Sequence, residues 1–280
     1  MSQIKYDIIK FKNFNIILSP HNRIYCLGDI LYQIFDYKYR IRKILNDSVY
    51  NKSLIFKYLN KIHANGLKLE NGRNINFGIE KRPNLSKNQK EALKCSIYDF
   101  LKENNLNFLR DKNELVVHLR CGDHIVDSSD EVITFLKNHK NITSIKVVTS
   151  IVFLGKGYVD VIRKMCKIKK YSKFFNSKKY NLLNDDFTKT EIKVNNCLNY
   201  LKYFFNKIEK YKKIDINISS NETDIDFINL VMAVNLIGSG DSGFSKAAIE
   251  MNTYLNNNTN TVLMDVGKLT LNRDEKIYFK

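Results

Sequence analysis

The stretch ELVVHLRCGDHI, residues 114–125, decides how this chain is read. An apolar run of strand length, ELVVHL, stands between polar loops. So short and continuous a run is what a strand buried on both faces requires. His118, Arg120, Gly122, Asp123 and His124 follow within seven positions. A buried strand thus delivers a cluster of chemically capable side chains to its carboxyl end.

The pattern recurs downstream. SIKVVTS (144–150), KIDINIS (213–219), VNLIGS (234–239) and TVLMDV (261–266) read as strands. Between them lie helical patterns: YVDVIRKMCKI (158–168), the segment 190–210, DIDFINLVMA (224–233) and SGFSKAAIEMNTYL (242–255). Strands alternating with helices imply an α/β fold with a parallel sheet and right-handed crossovers. Such sheets take ligands beyond the carboxyl ends of their strands.

The earlier part of the chain reads less regularly. FNIILS (14–19) and INFGI (75–79) are strand candidates; ILYQIFDYKYRIRKIL (30–45) and residues 52–63 are helix candidates. Ser86 and Gln89 form a capping box that opens a helix carrying Leu93, Ile97, Phe100 and Leu101 on one face. A boundary near residue 110 divides the chain into an acceptor-side domain, 1–110, and a ligand-binding domain, 111–267. Residues 268–280 are expected to return to the first.

The formal charge of +17 and pI near 9.5 favour anionic ligands. The lysines are spread along the chain, as on solvated helix faces, and no zinc-finger or RNA-recognition pattern accompanies them, so no nucleic-acid partner is expected. Five scattered cysteines without C-x-x-C argue against a disulfide framework or zinc knuckle. The start has no leader pattern, and the longest apolar stretch, FINLVMAVNLIG, is too short to span a bilayer. Residence in the cytoplasm without membrane insertion is the expectation.

Three constellations carry chemistry. Arg120 offers a fork of donors suited to phosphate, Gly122 lets the backbone turn or approach a ligand, and Asp123 can orient the arginine or accept a proton. The alternative is an Arg–Asp pair that only ties down a loop. A metal pair of His118 and His124 fits no common zinc spacing. SGDSGFSKAA (239–248) starts a helix, where backbone amides and hydroxyls bind phosphate. Its alternative is an ordinary cap by Asp241 or Ser242. SSNETDIDF (219–227) contains a D-x-D, Asp224 and Asp226, but at a helix start, where acids suit the dipole.

These motifs, in this order, resemble the fucosyltransferase-like glycosyltransferases. His118-Leu119-Arg120-Cys121-Gly122-Asp123 matches their H-x-R-x-G-D, with Cys121 where the family commonly has a second arginine. SSNETDIDF and SGFS (242–245) match the later pattern, with Ile225 in place of the first acid of a Glu-Asp pair. The resemblance covers roughly residues 112–265. The small size and Lys/Asn-rich composition also resemble the soluble glycosyltransferases of large algal viruses, xylosyltransferases among them.

The resemblance implies a GT-B type fold, two Rossmann-like domains with parallel sheets facing a central cleft. It implies transfer of a monosaccharide, with UDP-xylose or GDP-fucose as the favoured donors, to a sugar hydroxyl of a glycan acceptor. Arg120 would contact the diphosphate, Asp226 and Asn221 the nucleoside end, and Ser242, Gly243, Phe244 and Ser245 the phosphate end. His118 shapes the loop or contacts the donor, beside Gly122. Such enzymes usually need no metal or other cofactor. Inverting transfer needs a base for the acceptor proton. Asp29, just after Gly28 at a helix start, is the first candidate and Asp123 the second. The rivals are a metal-dependent transferase using Asp224 and Asp226, and a basic nucleic-acid-binding protein.

Overall fold

The structure, a computed structural model, describes residues 7–11, 14–18, 31, 51–64, 84–108, 110–122, 125–149, 151–152, 187–219, 223–239, 242–256 and 260–264. The expected helices over 30–45 and 158–168 and the strand over 75–79 lie outside these residues, Leu31 excepted, which is helical and fully buried. So do residues 268–280.

Six helices and nine strands occur among the described residues. In chain order they are β1 (Asp7–Phe11), β2 (Phe14–Leu18), α1 (Leu54–Ala64), α2 (Lys87–Glu103), β3 (Glu114–His118), β4 (Cys121–Gly122), α3 (Ser129–Asn138), β5 (Ser144–Val148), β6 (Ile151–Val152), α4 (Phe187–Tyr211), β7 (Asp215–Ser219), α5 (Thr223–Met232), β8 (Asn235–Gly238), α6 (Gly243–Leu255) and β9 (Asn260–Leu263). β3, β5, β7, β8 and β9 form a parallel sheet in the order β7-β5-β3-β8-β9. The fold is therefore α/β. The exposure of the strands follows their place in the sheet. All of β8 and four of five residues of β3 are buried, whereas three of the four residues of the edge strand β9 are exposed.

The hairpin of β1 and β2 is antiparallel, with Phe11 opposite Phe14. It departs from the expected alternation because the two strands are consecutive and too close in the chain for a crossover. β4 pairs with β6 in a separate two-residue parallel ladder.

The chain divides into two units, each discontinuous in sequence: Met1–His21, Leu119–Asn221 and Gly267–Lys280 in one, Asn22–His118 and Glu222–Val266 in the other. In the first, α3 packs on α4. The link between them is Tyr200, fully buried on α4, whose hydroxyl donates to the Val126 carbonyl at 2.9 Å and accepts from the Ser128 amide at 3.1 Å. Asp127 accepts from the Ser129 amide at 3.0 Å, so the chain entering α3 is held by side chains. Past β3, the Leu119 amide donates to the Val148 carbonyl at 3.0 Å, and Thr149 Oγ1 donates to the Leu119 carbonyl at 2.9 Å. Arg120 emerges immediately after this pinned residue.

In the second unit α1 packs on α2, α5 on α6 and on β3, and α2 on α6. The capping box forms as the sequence requires: Ser86 Oγ accepts from the Gln89 amide, and Gln89 returns a bond to the Ser86 amide. Leu93, Ile97 and Phe100 are buried along the predicted face, and Leu101 is partly covered. Glu250 of α6 accepts from the Leu85 amide at 2.7 Å, which fixes the approach to α2.

A helix end leaves carbonyls without intrahelical partners. At the end of α5 they are met by α6: Asn252 Nδ2, fully buried, donates to Val231 at 2.8 Å and Ala233 at 2.7 Å, and Asn256 Nδ2 donates to Val231 at 3.1 Å. Asn235 plays the same part at the sheet, donating to the Lys112 and Glu114 carbonyls at 3.0 Å each. No helix among the described residues is long and apolar enough to cross a membrane.

Asn252→Leu keeps the branched outline of the side chain and strands the α5 carbonyls. We expect a loss of about 2–3 kcal/mol in unfolding free energy, read from urea denaturation, with Asn256→Leu costing less because it removes one bond.

Candidate functional site

β3 and β8 are neighbours in register, Leu115 opposite Asn235 and Val117 opposite Ile237. Their carboxyl ends therefore lie side by side, with His118 closing one and Gly238 the other. The chain leaves β8 through Ser239 and starts α6 with Ser242 as the N-cap. Ser242 Oγ accepts from the Ser245 amide at 3.4 Å, and the Ser242 amide donates to the Ser239 carbonyl at 3.1 Å. The capping reading of this motif thus holds for Ser242.

One side chain joins the three pieces. Ser245 Oγ accepts from the Ser239 amide at 3.1 Å and shares a hydrogen bond of 2.5 Å with His118 Nδ1. Ser245 is 1% exposed and His118 9%. The Phe244 ring lies 5.5 Å from the His118 ring and 5.4 Å from Phe227 of α5. The first turn of α6 is thereby fixed over both strand ends. Gly238 permits the approach. A Cβ there would stand 2.7 Å from Ile249 Cδ1 and 3.2 Å from Ser245 Cβ, closer than a packed core accepts without repacking.

The two acids of the D-x-D fall in the first turn of α5, as a helix start favours. Both are buried, Asp224 at 6% and Asp226 at 5% exposure. Asp224 Oδ2 accepts from the Leu54 amide at 3.0 Å, and Leu54 is the first residue of α1. The acid of one helix therefore caps another, 170 residues away.

His118, Ser242, Gly243, Phe244 and Ser245 are brought together. Arg120 is half-buried and lies two residues along the chain from His118. Gly122 pairs with Val152 in the β4–β6 ladder and not in a turn. Asp29, Asp123, His124 and Asn221 lie outside the described residues. Sequence reasoning missed Ser239 and the capping task of Asp224, since no local pattern announces a partner so distant. Among the described residues no group of three His, Cys, Asp or Glu side chains is placed to hold a metal ion.

The arrangement can hold an anion. The first-turn amides of α6 and its dipole point positive charge outward at the strand ends, and that turn contains no acid. Ser245, being enclosed, is no nucleophile; its hydroxyl serves the geometry. Comparison with protein-family models, curated proteins and solved structures finds no match for this chain.

Asp224→Ala removes the acceptor of the Leu54 amide, leaving Ser53 Oγ on the Phe56 amide as the local cap of α1, and is expected to cost about 2 kcal/mol. Asp224→Asn, which keeps an acceptor oxygen, should lose less than half of that in the same thermal or urea measurement.

Proposed function

We propose that this protein is a GT-B type glycosyltransferase. It moves a monosaccharide from a nucleotide diphosphate sugar to a sugar hydroxyl, with inversion and without a metal. The observation that carries this reading is the first turn of α6 fastened over the joined carboxyl ends of β3 and β8. The reading is supported by the hydrogen bond between His118 of the H-x-R-x-G-D run and Ser245 of Ser242-Gly243-Phe244-Ser245, the two motifs that resemble the fucosyltransferase-like family.

In this reading the amides of Gly243 and Phe244 receive the diphosphate, and Arg120 neutralises the charge that grows on it as the glycosidic bond breaks. Asp226 serves the nucleoside end with Asn221. Asp29 removes the acceptor proton, with Asp123 as the alternative base. UDP-xylose and GDP-fucose are the donors to try first. The metal-dependent reading of the D-x-D is disfavoured because Asp224 already spends an oxygen on the Leu54 amide. The nucleic-acid reading lacks a recognition motif.

Thermal-shift measurements with UDP, GDP and their sugars test the reading. A ligand at about 100 times its Kd adds about 2.7 kcal/mol to the native state, or about 5–10 °C in Tm. Selectivity for UDP identifies a xylose-type donor and for GDP a fucose-type one; no shift with either refutes the proposal. Arg120→Ala is expected to reduce kcat/KM about 10²–10³-fold. Asp29→Asn is expected to abolish turnover while nucleotide binding persists; near-normal turnover would transfer the role of base to Asp123.

A further inference from the structure

The bond between Ser245 and His118 determines more than position. The Ser245 hydroxyl accepts one hydrogen, from the Ser239 amide at 3.1 Å. It must place its own hydrogen somewhere, and at 1% exposure water is not available to receive it. Its other contact is His118 Nδ1 at 2.5 Å. The hydroxyl therefore donates to Nδ1, and Nδ1 carries no proton. A neutral imidazole has one protonated nitrogen, so the proton resides on Nε2.

We infer that Ser245 is a positioning residue that holds His118 in the neutral Nε2–H tautomer. The imidazole then enters the site as a hydrogen-bond donor and not as a base. The functional part of this inference rests on the glycosyltransferase reading: His118 is not the group that removes the acceptor proton, and it adds no charge beside the diphosphate. Protonation of Nδ1 would reverse the bond and leave the Ser245 hydrogen buried without an acceptor. The ionisable groups on the packed elements divide. Lys246, next to Ser245 on α6, opposes a cationic imidazole, as do Arg120, two residues along the chain, and the positive end of α6. Asp224 and Asp226 on α5 favour one, Asp224 being engaged with the Leu54 amide. β8 brings none. The buried hydroxyl decides among these, because only the neutral form satisfies all of its bonds.

Long-range proton–nitrogen spectra of the imidazoles in unliganded, nitrogen-15-labelled protein read the tautomer directly. The chain has five histidines, and the His118 signals are those lost in His118→Gln. The expected result is an unprotonated Nδ1 and a protonated Nε2 from pH 6.5 to 8. In Ser245→Ala the two tautomers should mix. Ser245→Thr, which keeps the hydroxyl, should restore the wild-type pattern. A protonated Nδ1 in the wild-type protein would overturn the inference without recourse to any variant. So would a Ser245→Ala spectrum identical to the wild type. Titration with inorganic pyrophosphate separates the two proposals: if the Nε2–H tautomer is seen but pyrophosphate does not bind, the donor reading fails and the tautomer stands.

Discussion

The hydroxyl of Ser245 is the constraint on which the site depends. It binds the residue that follows β8 and the residue that ends β3, while its own amide is held by the cap of α6. Two strands and a helix start thus meet at one atom. A buried hydroxyl with both its roles filled is worth more than its individual bonds, because removing it takes a bond from the Ser239 amide and one from the His118 imidazole at once. The close approach of α6 to β8 is the other half of this constraint. It needs Gly238, whose missing side chain lets Ser245 reach across.

The same economy of long-range polar contacts governs the rest of that unit. Asn252 and Asn256 close the end of α5, Asn235 ties the entry of β3, and Asp224 opens α1. In each case a backbone group that its own element leaves unpaired is met by a side chain from a distant one. Asparagine suits this work, since its amide donates two hydrogens from one buried position. The apolar contacts between α1 and α2 and between α5 and α6 set which elements touch. The polar ones set where each helix starts and stops.

Much of this order was legible in the sequence. ELVVHL and VNLIGS announced buried strands because continuous apolar runs of that length have few other uses, and Ser86 with Gln89 announced a helix start through local geometry. β1 and α3 were not anticipated. DIIKF is short and takes its meaning from pairing with β2, whereas SDEVITFLKN carries Val132, Phe135 and Leu136 at helical spacing, a readable stripe confined to ten residues. At the site, the cap at Ser242 was readable, because it is local. The partner of Ser245 stands 127 residues away and that of Asp224 170 away, and nothing in either neighbourhood encodes the match. Gly238 carries no signal of its own within VNLIGS; only the crossing of α6 gives it a reason.

α5 and α6 begin near one another, as the contact of Phe227 with Phe244 requires, yet their positive ends are treated differently. α5 carries Asp224 and Asp226 in its first turn and so supplies its own counter-charge. α6 has no acid there and has Lys246 instead. A helix whose start is only structural gains from an acid in that turn, typically by about 0.3–1 kcal/mol. The sequence takes that gain at α5 and forgoes it at α6. Forgoing it makes physical sense where the counter-charge arrives from outside, so that the amides of Gly243 and Phe244 face an anion that comes and goes. The asymmetry between the two helix starts is what the diphosphate proposed at α6 calls for, with the nearest acid, Asp241, standing ahead of the N-cap Ser242 in the sequence.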